Sequence, residues 1–144
     1  MQDKRIISKI ETLLEWYEEK HTKVDIHKLL EFQDKLSLLS FNLGVMVAKS
    51  KGGAVGAYFE RKYVFSVNKM SFINGGETNG KSDTMAEASI KKEREAEKEA
   101  IEYSEGLRFM LSQVNKILSA CQQRISFSKS EWERAHRMSH DHTK

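Results

Sequence analysis

Apolar residues recur at spacings of three and four along most of this chain, the signature of helices that bury one face. Ile6, Ile7, Ile10, Leu13, Leu14 and Tyr17 predict a first helix over about 3–20, with Asp3 at its N-cap, and residues 21–24 read as a short connection. Asp25 then caps a second helix on Ile26, Leu29, Leu30, Leu36, Leu39, Leu43, Met46 and Val47, extending over about 25–72. Its middle turns small at Gly44, Ala48, Gly52, Gly53, Ala54, Gly56 and Ala57. Each helical glycine costs about 1 kcal/mol relative to alanine. Two readings therefore stand: a break near 50–53, or a close crossing where a neighbouring backbone approaches. The run Tyr63-Val64-Phe65-Ser66-Val67 has strand propensity, but no second strand of comparable strength could pair with it, so helix is expected.

Residues 73–82, INGGETNGKS, carry the strongest loop signal. Ser82 and Asp83 are the expected caps of a third helix, over about 83–135. Its first part is a mixed-charge stretch with Lys91–Glu95 and Lys98–Glu102 pairs at i,i+4. Its second part holds the clearest ladder in the chain: Ala100, Tyr103, Leu107, Met110, Val114, Ile117 and Cys121 follow a 4-3-4-3-4-3 rhythm, a coiled-coil seam. Leu111, Leu118 and Ile125 widen it towards the broader face of a bundle. The polar tail, 139–144, is expected to fray. The fold class is therefore all-α: one domain, 1–144, an elongated helical bundle of three to four helices with a long C-terminal helix and coiled-coil-like packing.

Composition sharpens this picture. The 144 residues include no proline, which favours long uninterrupted helices, and one cysteine, which excludes an internal disulfide. Cys121 lies in the apolar ladder and reads as a small core residue. No apolar run approaches the roughly 20 residues of a spanning helix, and the start has no signal-peptide pattern. A cytoplasmic protein with no membrane partner is expected. The net charge of +3 is compatible with an anionic partner without demanding one.

Chemistry-bearing motifs are scarce. The glycine stretch KGGAVGAYFE lacks the GK[ST] ending of a phosphate loop, and there is no nucleophile elbow or paired-cysteine metal site. His136 and His140 are four apart, but no Glu or Cys completes a site with them or with His142, so no metal is expected. No catalytic residue and no cofactor is predicted, and the chain reads as a binding protein rather than an enzyme. The candidate contact surface is Tyr58-Phe59-Glu60-Arg61-Lys62-Tyr63, flanked by Lys49, Lys51 and Lys69. Cations that follow phosphates and aromatic faces that stack on bases are how single strands are held. Aromatics at such spacing also pack in cores, and one helix can serve both, with Tyr63 inside and Arg61 and Lys62 outside. The candidate nucleic-acid-binding residues are Lys49, Lys51, Tyr58, Arg61, Lys62, Tyr63 and Lys69. A second basic set, Arg108, Lys116, Arg124, Lys129, Arg134 and Arg137, lies on the third helix, some of it covering apolar surface with its stems.

In this order, a helix ending in a cationic-aromatic stretch, a Gly-rich loop with GKS, and an Ala/Glu-rich helix ending in EYSEGLRFMLSQVNKILSACQQRISFSKSEWERA resemble a group of small phage-encoded helical proteins. The layout is similar to that of the UvsY-type phage recombination mediators over about residues 30–135. The resemblance implies an oligomeric, non-catalytic accessory protein of homologous recombination in a bacterial host's cytoplasm. It would bind single-stranded DNA and help load a RecA-like recombinase onto strands covered by a single-strand-binding protein. It places DNA contact at Tyr58, Arg61, Lys62 and Tyr63, with ring-like self-assembly through the C-terminal helix at Leu107, Met110, Val114, Ile117 and Cys121; Tyr103 joins that interface by its place in the ladder. One departure is Glu60, which stands among the cations. The alternative expectation is a structural or assembly protein that uses the same helical pairing without nucleic acid.

Overall fold

The computed structural model describes residues 2–141, the last two by their backbone alone. The described residues form four α-helices and no strand: α1 (Gln2–Lys20), α2 (Ile26–Asn74), α3 (Asn79–Ser89) and α4 (Lys91–Asp141). No helix is long and apolar enough to cross a membrane. Packing divides the chain into two compact units, one from residues up to Val45 and from Phe109 onward, the other Met46–Arg108.

In the first unit, α1 lies on α2 and α4. Ile10 and Tyr17 of α1, Leu29, Phe32, Leu36 and Leu43 of α2, and Val114, Cys121 and Ile125 of α4 are buried. Phe32, absent from the expected stripe, is the hub of an aromatic stack, with Trp16 at 5.4 Å and Tyr17 at 4.9 Å between ring centroids. Asp25 caps α2 as its sequence predicts, its carboxylate accepting from the Lys28 N–H at 3.0 Å. The Cys121 thiol donates to the Leu29 carbonyl at 3.6 Å. Burial pushes the Cys121 thiol above its ordinary range, and Arg124 opposes that rise. Burial likewise raises the Tyr17 phenol, the neighbouring thiol adds to the shift, and Arg124 works against it. Both groups are neutral when protonated and hold their protons more tightly in the folded state. Their contribution to stability is thus complete below their unfolded pKa values and is lost as pH rises through the folded ones. Thermal unfolding followed by circular dichroism should therefore show a midpoint that falls through the alkaline range, with a weaker fall in Cys121→Ala.

In the second unit the seam is thinner. Along α2 the half-covered positions are Ser50, Ala54, Ala57, Arg61, Val64 and Asn68; along α4 they are Glu93, Glu97 and Ala100, ending at buried Ser104 and Leu107. Ser82, Ala86 and Ile90, spaced by four, are fully buried beneath α3.

Four features differ from the sequence expectations. First, α2 runs unbroken through 50–53, and none of Gly44, Gly52, Gly53 and Gly56 has another group within 4 Å of where a Cβ would stand. The residues beyond the glycines return in register to the same inner face, so continuing the helix keeps burial that a break would lose. Among the described residues the close crossing is not made either. Second, the loop is shorter than 73–82. Gly76, with φ 95°, ends α2 in a Schellman turn: Glu77 N–H reaches the Phe72 carbonyl at 3.1 Å and Gly76 N–H the Ile73 carbonyl at 3.0 Å. Thr78, not Ser82 or Asp83, is the N-cap of the next helix, which places Asn79 and Gly80 in its first turn.

Third, the helix expected over 83–135 is two helices. Ile90 leaves helical geometry at φ −103°, ψ 21°, and its side chain is fully buried. Ser89 helps to release the turn: its hydroxyl donates to the Ala86 carbonyl at 2.7 Å and accepts from Asn68 Nδ2 at 2.8 Å. Fourth, α4 runs on through Asp141, past the expected end near 135; of the tail expected to fray, 142–144 lies outside the described residues.

Candidate functional site

The nucleic-acid contact set expected from the sequence sits on α2 within the Met46–Arg108 unit, and the structure divides it into two groups. Arg61 faces inward. It forms an ion pair with Glu97 of α4, with the two side chains only 21% and 17% exposed. Lys69 pairs with Asp83 of α3 at 2.8 Å. Both cations are thereby committed to holding helices together, and a half-buried pair of this kind is costly to break by removing one partner.

Lys49, Lys51 and Lys62 are exposed, and none forms an ion pair among the described residues. Tyr58 is partly exposed and anchors a small cationic cluster, with the Arg61 guanidinium 5.4 Å and the Lys62 ammonium 5.5 Å from its ring centre. Phe59 meets Tyr58 edge-on at 5.4 Å. Phe59 and Tyr63 are 63% and 67% exposed, so the expected arrangement is reversed: Tyr63 lies outside and Arg61, drawn in by Glu97, lies inside.

Sequence reasoning missed the groove beside this cluster. A cleft of about 460 Å³ opens between α2 and α4, with Lys51, Tyr58 and Phe59 on one wall and Ile101, Glu105 and Arg108 on the other. Arg108 joins the cations there, whereas Glu97 and Glu105 place carboxylates in the same cleft. The sequence signal for Arg108 was its spacing from Ser104 and Glu97 on α4, legible only once α2 was known to lie alongside. Electrostatically the unit is balanced: Met46–Arg108 carries eleven Lys and Arg against ten Asp and Glu. Glu93 Oε2 and the Ser82 hydroxyl are buried with no hydrogen-bond partner among the described residues.

The residues assigned to oligomerisation through the C-terminal ladder are placed differently. Leu107, Val114 and Cys121 are buried against their own chain, Met110 and Ile117 are half covered, and Tyr103 is 47% exposed. The covered face of α4 is Ala100, Ser104, Leu107, Val114, Cys121 and Ile125, with Met110, Leu111, Ile117 and Leu118 half covered alike, so it is the broader bundle face rather than a narrow seam. It departs from the expected ladder at one place, where Ser104 is buried and Tyr103 is not. Its buried members cover this chain's own core, so a partner cannot also be held by them.

Among the described residues no group of three His, Cys, Asp or Glu side chains is placed to hold a metal ion. His136 stacks on Trp132 at 3.8 Å instead, while the His140 side chain and His142 lie outside the described residues. No protein-family model matches the chain, and no curated protein or solved structure shows significant similarity to it.

Proposed function

We propose that this chain is a non-catalytic accessory protein that binds single-stranded nucleic acid along the outer flank of α2, with the strand lying over Lys51, Tyr58 and Lys62 and reaching Arg108 across the groove. The observation that carries this reading is that aromatic rings and unpaired lysines stand exposed side by side on one rigid helix. Stacking on such rings is sequence-tolerant and is worth about 1–3 kcal/mol per base, and each lysine set against a phosphate releases a counterion. Arg61 and Lys69 support the contact by fixing α2 against α4 and α3, while Lys49 and Tyr63 lie round the helix from this flank, off the strand's path. The service in recombination, acting as an oligomer beside a RecA-like recombinase and a single-strand-binding protein, follows from the resemblance to UvsY-type mediators and is part of the same proposal.

The test is a fluorescence-anisotropy titration of labelled oligothymidylate at low and at high salt. Binding at low salt that weakens steeply as salt rises is expected; absence of binding at low salt removes the reading.

A second reading, an assembly protein without nucleic acid, is favoured by one specific observation: Val55, Phe59, Tyr63, Val67 and Met70 form an exposed apolar row on α2. The same titration separates the two, since an assembly protein leaves the oligonucleotide free.

A further inference from the structure

At about 100° per residue, the inner face of α2 and its exposed apolar row lie on opposite sides of the helix. One side packs on α4; among the described residues nothing lies over the other. This outer row has an ordered composition. Its N-terminal half is small, Ala48, Gly52 and Gly56, and its C-terminal half is large, Phe59, Tyr63, Val67 and Met70, all exposed. The glycines destabilise the helix by about 1 kcal/mol each and serve nothing in this chain, since a Cβ at either would meet no atom within 4 Å.

We infer that this face is the interface of a homodimer in which two α2 helices pair antiparallel about a two-fold axis near positions 57 and 58. A parallel pair would set glycine on glycine, which draws the backbones together, and Phe59 on Phe59, which holds them apart, so one straight contact could not satisfy both halves of the row. The antiparallel pair sets small against large throughout, with Gly56 facing the partner's Phe59 and Gly52 the partner's Tyr63. The row is thus complementary to its own reverse, which is what a two-fold contact requires.

The large members of the row, Val55, Phe59, Tyr63, Val67 and Met70, are 49%, 63%, 67%, 48% and 55% exposed, a contiguous apolar surface of the kind a partner covers. The near balance of charge in the Met46–Arg108 unit leaves little repulsion between copies. The interface supplies the self-association that the proposed function assumes, but it needs no nucleic acid and can fail while strand binding stands.

The test is sedimentation equilibrium of the full chain without nucleic acid, at concentrations well above micromolar. The wild type is expected at twice 16.6 kDa, and both Phe59→Glu and Gly56→Leu at 16.6 kDa. Circular dichroism should show helix content unchanged in both variants, because neither site touches the chain's own core. Mixing Gly52→Cys chains with Tyr63→Cys chains under mild oxidation should yield a disulfide-linked dimer. A monomeric wild type, a dimer that survives both Phe59→Glu and Gly56→Leu, or efficient cross-linking of Gly52→Cys with itself would each overturn the proposal.

Discussion

Replacing Lys51 and Lys62 together by glutamate is expected to lower affinity for oligothymidylate by roughly a hundredfold at low salt and to flatten its salt dependence. Each lysine set against a phosphate contributes about 0.7 to the logarithmic salt slope of a single strand, so losing two should reduce that slope by roughly 1.4. The reversed charges add repulsion of similar size to the attraction removed, which brings the total to about 3 kcal/mol. Neither side chain holds an ion pair with another element, so the melting temperature should stay close to that of the wild type. Anisotropy titrations at several salt concentrations read both quantities. An unchanged salt slope would show that the strand runs elsewhere. Substituting Arg61 is a different experiment: it leaves Glu97 half-buried without its partner, so weaker binding there would report a loosened helix pair.

The largest effect on folding should come from Val114→Asp. Val114 is fully buried on α4, in the unit whose core also includes Leu36 and Leu43 of α2. A carboxylate there would replace a fully buried apolar side chain, and an uncompensated buried charge costs more than about 4 kcal/mol. That is a large part of the 5–15 kcal/mol that stabilises a typical domain. The far-ultraviolet circular dichroism signal at room temperature should fall sharply. In contrast, the same substitution at exposed Phe109 should leave the fold intact. Comparable folding of the two variants would mean that the covered row of α4 has been assigned to the wrong residues.

Much of this architecture is legible in the sequence because helix-forming patterns are local. The spacing of Ile10 and Tyr17 places α1, Leu29, Leu36 and Leu43 place the inner face of α2, and Asp25 marks where α2 begins. The seam on α4 could not be read fully. Met110 and Leu111, and likewise Ile117 and Leu118, are half covered together, but next to Ala100 it is Ser104 and not Tyr103 that is buried. That choice depends on where the other helices lie, which is tertiary information. The end of α3 carries no glycine or proline; it is produced by Ser89 bonding to Ala86 and Asn68, the latter on another helix. In the contact set, residue types alone pointed to Arg61 and Lys69 as equals of Lys51 and Lys62. What separates them is the position of Glu97 and Asp83 on neighbouring helices, far away along the chain.

The balance of eleven cations by ten anions in the Met46–Arg108 unit has a kinetic consequence. Without a strong field, a polyanion is not drawn in from a distance, and encounters should proceed at the unsteered rate of about 10⁵–10⁷ M⁻¹s⁻¹. If the proposed strand contact holds, such a protein makes a poor scavenger of free strands and suits a station where the strand is already presented, with contact beginning at short range.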